Sequence, residues 1–212
     1  MIIKKENILI AGANGTTGRI IVELLKESAV YKPIAMVRKQ DQKDRFEQEN
    51  VEVVLADLEE DLSHAIENID KVIFAAGSNG KNVKGVDQEG AKRLIDAAKT
   101  AKVKKFVMLS TMGADNPSAS DSLEDYFRAK QKADDYLKAS ELNYSIVRPG
   151  TLTDKDATGK IKLKEKLDEQ GSITRADVAQ TLVELLKEDV KHNQFFEMIA
   201  GEIPIKKALE TS

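Results

Sequence analysis

Three glycines, Gly12, Gly15 and Gly18, recur at three-residue spacing in ILIAGANGTTGRIIVELLKES, residues 8–28, where an apolar run breaks and then resumes. The chemistry this spacing serves is anion binding. A strand that ends at Gly12 and turns into a helix near Thr16 leaves several backbone N–H groups unpaired and aimed into one cleft, where the helix dipole adds a field favourable to phosphate. Each glycine has its own reason: a tight turn needs unusual dihedrals, a diphosphate must come close to the backbone, and Gly18 lets the helix pack on the strand. Thr16 and Thr17 add hydroxyl donors, and Asn14 tolerates the turn conformation. An ordinary glycine-rich turn shares this spacing. The context of a first strand, a helix start and further strands downstream points instead to the phosphates of a dinucleotide.

The next discriminating position is the end of the second strand, where an acidic residue would hold the 2′-hydroxyl of an NAD ribose. The sequence there reads MVRKQDQ, with Arg38 and Lys39 in place of the acid. A cation at this point pairs with the 2′-phosphate of NADP, and arginine offers a bidentate fork. A solvated basic pair is the bland alternative, and Asp41 lies close by. The preferred cofactor is therefore NADP(H), with NAD(H) as the alternative.

Elements that place such a loop must alternate strand and helix. Short runs rich in Ile, Val and Phe, at residues 7–12, 33–38, 51–57, 71–77, 104–110, 144–150 and 195–201, alternate with helical spacing at about 16–28, 41–49, 61–68, 85–101, 121–140 and 175–188. Several strands are apolar at consecutive positions, which suits burial on both faces. An α/β architecture with a mainly parallel sheet of about seven strands and helices on each side is expected. Residues 152–172, LTDKDATGKIKLKEKLDEQGS, are polar and lysine-rich, and are expected to fold over the top of the sheet as a short hairpin or lid, reaching to about residue 173. Thr174 and Asp177 have the spacing of a capping box and are read as structural.

Bulk composition narrows the function classes. A chain of 212 residues suits one domain, and a net charge of -3 gives no electrostatic case for nucleic acid or an anionic membrane. With no cysteine there is no disulfide, zinc-thiolate site or thiol nucleophile, and His64 and His192 alone offer imidazole ligands, so no metal is expected. Ile8 to Ile10 already belong to the first strand, which argues against a secretory signal, and no segment approaches the ~20 apolar residues of a spanning helix. The expectation is a cytoplasmic protein, monomer or homodimer, with a small-molecule substrate.

The GxxGxxG spacing, Arg38 after the second strand, DL at 57–58, AAG at 75–77 and RPG at 148–150 together resemble the short-chain dehydrogenase/reductase superfamily. More narrowly they resemble its atypical NAD(P)H-binding branch, the NmrA-like and biliverdin-reductase-B-like proteins often labelled epimerases. The resemblance covers nearly the whole chain and implies a Rossmann-type doubly wound fold. It implies that Asp57 and Leu58 flank the adenine, that Ala75, Ala76 and Gly77 line the ribose and diphosphate, and that Pro149, Gly150, Thr151 and Leu152 approach the nicotinamide. Asp57 is also an ordinary strand-end turn residue.

In that superfamily a tyrosine hydroxyl exchanges a proton while hydride moves, with a lysine four residues on and a serine on the preceding strand. A phenol titrates near 10, so an ammonium beside it is needed for general-base work near neutrality. Tyr126 and Lys130 in YFRAK have this spacing, Lys130 is also expected to contact the cofactor ribose, and Ser110 or Thr111 at the end of the fifth strand could hydrogen-bond the substrate oxygen. Lysine is frequent enough here for the spacing to arise by chance, and a plain Lys130–Asp134 pair is the competing explanation. Asp87 shares a helix face with Ala91, Leu94 and Ala98, which points a carboxylate toward the sheet; a favourable acid in the first helical turn is the alternative. It stands where the wider superfamily has a catalytic asparagine, and a carboxylate presents a different hydrogen-bond pattern from an amide. The leading expectation is an NADPH-dependent reductase of a small carbonyl, quinone or flavin-like substrate. The rivals are an NADP(H) sensor without turnover and, last, a sugar-nucleotide epimerase or dehydratase, for which the stretch after Gly150 is short.

Overall fold

Strand β1 (Glu6–Ala11) buries Ile8, Leu9, Ile10 and Ala11 completely. Because alternate side chains of a strand point to opposite faces, Ile8 and Ile10 join one core while Leu9 and Ala11 join another. The computed structural model, which describes residues 4–78 and 80–210, extends this two-sided burial across a central sheet. After β1 come α1 (Thr16–Lys26), β2 (Tyr31–Val37), α2 (Gln40–Gln48), β3 (Glu52–Leu55), β4 (Lys71–Phe74), α3 (Ala91–Thr100), β5 (Lys105–Leu109) and α4 (Glu124–Lys138). Then follow β6 (Tyr144–Pro149), β7 (Thr151–Thr153), β8 (Lys160–Lys164), β9 (Ser172–Thr174), α5 (Arg175–Glu184), β10 (Gln194–Ala200), β11 (Ile203–Pro204) and α6 (Ile205–Glu210).

The sheet order is β11-β8-β10-β6-β5-β4-β1-β2-β3. From β3 across to β10 every neighbour is parallel, and these are the strands expected from the sequence. Strands β8 and β11 add an antiparallel margin, so among the described residues the sheet has nine strands rather than seven. Helices α1, α2, α5 and α6 cover one face through Ile21, Phe46, Leu182 and Leu209; α3 and α4 cover the other through Leu94, Ile95 and Leu137. After β3 the chain crosses to β4 on the opposite side of β1. That reversal opens a crevice at the carboxyl ends of β1 and β4, where α/β sheets bind ligands.

Several expected elements change form. The helix expected at 61–68 is a single 3-10 turn, Ser63–Ile66, preceded by Asp61, whose carboxylate accepts from the Ser63 hydroxyl at 2.8 Å. The expected helix 85–101 begins as a π-helical stretch, Val83–Gly90, before α3. Its widened turn buries Asp87 and Gln88 together, and a Cβ on Gly90 would stand 2.8 Å from the Leu58 Cβ. The 152–172 segment does not make a hairpin of its own: β7 pairs parallel with β9, and β8 runs antiparallel beside β10. Thr174 does cap α5, since the Asp177 N–H donates to Thr174 Oγ1 at 2.9 Å, but the Asp177 carboxylate accepts from the Thr174 hydroxyl, also at 2.9 Å, rather than from its backbone N–H as a full box requires. Asp177 also accepts from the N–H groups of Thr158 and Gly159, tying the β7–β8 loop to the helix.

At the opposite end of the sheet, Lys105 is wholly buried and donates to the carbonyls of Lys187 and Val190 at 2.8 and 2.6 Å. Burial, with the neighbouring Lys71 ammonium, lowers its pKa from 10.5 to about 8. The unfolded chain therefore holds this proton more tightly, and stability should rise as pH climbs from about 8 toward 10.5. The urea midpoint of the wild type is expected to increase between about pH 8 and 9.5, and Lys105→Met to flatten that slope. Equal slopes would show that Lys105 stays charged.

Candidate functional site

Gly12 takes a left-handed φ of 89° directly after β1, and a Cβ there would lie 2.6 Å from the Ala76 backbone nitrogen. The same turn presses on α1: a Cβ on Gly18 would stand 2.1 Å from the Gly12 carbonyl oxygen. Gly15 donates its N–H to that carbonyl at 2.9 Å and serves as the N-cap of α1, with no side chain satisfying the first turn. The result is a backbone cradle at a helix N-terminus with no acid to fill it, as a diphosphate needs.

Asn14 does more than tolerate the turn. Its Oδ1 accepts from Arg19 at 2.7 Å and from Arg45 at 2.6 Å, clasping the loop to α1 and α2. No carboxylate shares this clasp in those bonds, so both guanidinium charges remain beside the loop. Their field favours an anionic ligand.

The cradle opens into a cleft of about 660 Å³. Gly12, Asn14, Gly15, Thr16 and Thr17 line one end, with Arg38, Asp57 and Leu58 beside them. Ala75, Ala76 and Gly77 form the middle, and Ser110, Tyr126, Lys130 and Leu152 the far end. Other expected residues stand outside the lining. Gly18 is a packing residue, as its contact with Gly12 shows. Lys39 is exposed as the N-cap of α2, one residue beyond Arg38. Thr111 donates its hydroxyl to the Met112 carbonyl at 3.2 Å. Pro149 and Gly150 are engaged with β10, where the Gly150 N–H donates to Met198 at 3.0 Å, and Thr151 is exposed in β7. Of the strand-end pair Ser110 and Thr111, Ser110 is thus the one at the cleft.

Sequence reasoning missed Gln42, Ser78, Lys81 and Arg175, which also line the cleft. Arg175 had a signal, because it directly follows the capping Thr174 at the start of α5; it pairs with Asp154 at 2.8 Å.

Lys130 is 4% exposed, although lysine is rarely buried without a partner. Its Nζ donates to the Leu109 carbonyl at 3.3 Å and lies 3.5 Å from Asp87 Oδ1, while the Tyr126 ring centroid is 5.8 Å away. The competing explanation, a plain Lys130–Asp134 pair, is not the one formed. Asp134, fully buried, instead receives Arg148 through Nε and Nη2, each at 2.9 Å, and the Ser110 hydroxyl at 3.0 Å. Burial pushes the Asp134 carboxyl upward, against the pull of Arg148 and Ser110. Asp87 does not line the cleft: it stands behind, accepting from the Ser78 N–H at 3.0 Å and facing Lys130. Its carboxylate links the wall after β4 to the lysine on α4.

No group of three or more His, Cys, Asp or Glu residues suited to a metal ion occurs among the described residues, and none of their helices is long and apolar enough to cross a membrane. The cradle and the uncapped helix start fit a nicotinamide dinucleotide.

Comparison with known proteins agrees with that fit. A family model described as NAD(P)H-binding matches residues 12–189. A Bacillus subtilis protein named as an uncharacterized sugar epimerase, YhfK, is 38% identical, over 96% of this chain and 98% of its own. A solved Bacillus halodurans structure, provisionally named an NAD-dependent epimerase/dehydratase, superposes with a TM-score of 0.92 at 37% identity, covering 98% of this chain and 100% of that one. The structure of ChuY, an anaerobillin reductase from Escherichia coli O157:H7, gives a TM-score of 0.82 at 26% identity, covering 93% and 98%. The chain belongs to the NAD(P)H-binding family, on the Rossmann-type fold of the atypical short-chain dehydrogenase/reductases.

Proposed function

We propose that the chain is an NADP(H)-dependent oxidoreductase that reduces a small carbonyl, quinone or flavin-like substrate. The observation that carries this reading is one continuous cleft, with the glycine cradle and Arg38 at one end and Tyr126, Lys130 and Ser110 at the other. Bound NADPH supplies the hydride. Tyr126, partly exposed on the cleft wall, offers its hydroxyl proton to the substrate oxygen. Lys130 brings a positive charge beside that ring, and Asp87 with the Leu109 carbonyl holds the ammonium in place. The anaerobillin reductase named among the structural neighbours supports a reductase reading, beside the epimerase names of the two relatives of higher identity.

A second reading, a cofactor sensor without turnover, draws on one observation: the Lys130 charge is shared with Asp87. Mixing the protein with NADPH and a panel of quinones, aldehydes and flavins, and following the nicotinamide absorbance, separates the two readings. The reductase oxidises NADPH with at least one acceptor; the sensor binds it and oxidises it with none.

The NADP(H) preference rests on Arg38, exposed at the cleft mouth immediately after β2 and without an acid partner among the described residues. A charge-assisted bond contributes about 1.5–3 kcal/mol. Arg38→Ala is therefore expected to weaken NADPH binding about 10- to 100-fold and to leave NADH binding nearly unchanged, as read by nucleotide fluorescence titration. An equal loss for both nucleotides would assign Arg38 elsewhere than the 2′-phosphate.

A further inference from the structure

Ser110 lies on the cleft wall with its one hydroxyl proton already committed. The residue is fixed by its N–H, which donates to the Val147 carbonyl at 2.7 Å, and its Oγ donates to Asp134 Oδ2 at 3.0 Å. That same Oδ2 accepts from Arg148 Nε at 2.9 Å and has the Arg148 Nη2 charge at the same distance, so two donors and an ion pair converge on one oxygen. The other oxygen, Oδ1, is buried with no hydrogen-bond partner. If the carboxyl takes up a proton, Oδ1 is where it goes, because Oδ2 is already saturated with donors. In either ionisation state Ser110 remains the donor toward Asp134, and what it turns to the cleft is a lone pair.

Beside it stands a group of opposite polarity. Lys130 reaches the carbonyl of Leu109, the residue before Ser110, and its ammonium carries three donors and no acceptor. Both side chains line the same end of the cleft, next to Tyr126. The wall thus offers a donor and an acceptor side by side.

Resting on the reductase reading above, we propose that Ser110 determines specificity by accepting a hydrogen bond from the substrate, and that Asp134, held by Arg148, is the positioning residue that fixes this polarity. The substrate class is a ketone or other hydride acceptor that also carries an N–H or O–H close to the reacting carbon, such as an α-keto lactam, in which the ketone is reduced and the lactam N–H is the donor. Simple aldehydes and unsubstituted quinones carry acceptors only and leave the Ser110 lone pair unmatched, with the loss that follows when a buried polar group has no partner.

The test uses a matched pair of probes, isatin, a ketone joined to an N–H lactam, and N-methylisatin. Binding of each to the full-length protein, with and without NADP+, is measured by calorimetry, and kcat/KM of each with NADPH by absorbance. The wild type is expected to favour isatin by about 10-fold. Ser110→Ala is expected to bring the ratio near one. Asp134→Asn, which can turn an N–H toward Ser110 and release the hydroxyl proton to the cleft, is expected to erase or reverse it. A ratio taken within one protein does not change with the fraction folded, so a merely structural role for Asp134 would leave it intact. Equal binding of the two probes by the wild type, or failure of both to bind, overturns the proposal even if other acceptors are reduced. Selective isatin binding without oxidation of NADPH by any acceptor upholds Ser110 as the acceptor and overturns the reductase reading instead.

Discussion

Gly12→Ala is expected to abolish measurable nicotinamide nucleotide binding and to lower the melting temperature markedly. Two costs coincide. Alanine at a φ of 89° pays the left-handed penalty of about 1–2 kcal/mol, and its Cβ would overlap the Ala76 nitrogen at 2.6 Å, backbone against backbone, with no flexible side chain to move aside. Relief requires the β1 and β4 ends to separate, and those two ends frame the crevice. Gly15→Ala provides the graded control, because its Cβ would meet only the Gly12 carbonyl, at 3.2 Å, and its φ is -74°. That variant should fold with near wild-type stability yet bind nucleotide more weakly, the methyl standing where the diphosphate approaches. Thermal denaturation alongside calorimetry checks both. Equal nucleotide affinity in wild type and Gly12→Ala would show that the loop is a structural turn and no more.

Tyr126→Phe is expected to lower kcat by about 100- to 10,000-fold, the range that a positioned general acid contributes, with little change in NADPH affinity. The phenyl ring keeps its packing beside Phe127, whose centroid is 5.9 Å away, so the fold should tolerate the change. Only the hydroxyl proton is removed. Single-turnover oxidation of bound NADPH isolates the chemical step from product release and is the measurement of choice. A kcat within a few-fold of wild type would move the proton donor to another group, with Lys130 the remaining donor on that wall.

Parts of this site are legible in the chain because they are local. The glycine spacing fixes a turn over seven residues, and Arg38 follows the last strand residue directly, so neither depends on how distant elements meet. Lys39 beside it shows the limit: one residue later the chain has begun α2, and the side chain no longer lines the cleft. The ion pairs were hidden for the opposite reason. Helical spacing puts Asp134 one turn beyond Lys130, yet β6 brings Arg148 onto Asp134, and the π-helical stretch brings Asp87 onto Lys130. The Arg148 guanidinium, with Nε and Nη2 both on one carboxylate oxygen, takes the place a neighbouring ammonium would fill, a choice that only the tertiary structure reveals. Strand β8 had a signal, the two-residue alternation of KIKLK with Ile161 and Leu163 turned inward, but so brief a run among lysines reads equally as a polar loop.

In the proposed function, the cleft at the switch between β1 and β4 binds a nicotinamide dinucleotide and selects its 2′-phosphate. Calorimetric titration of the wild-type protein with NADPH and with NADH tests it most directly. A single site per chain is predicted, with NADPH at least about 10-fold tighter than NADH. Heat from neither nucleotide, or NADH the tighter ligand, would contradict it.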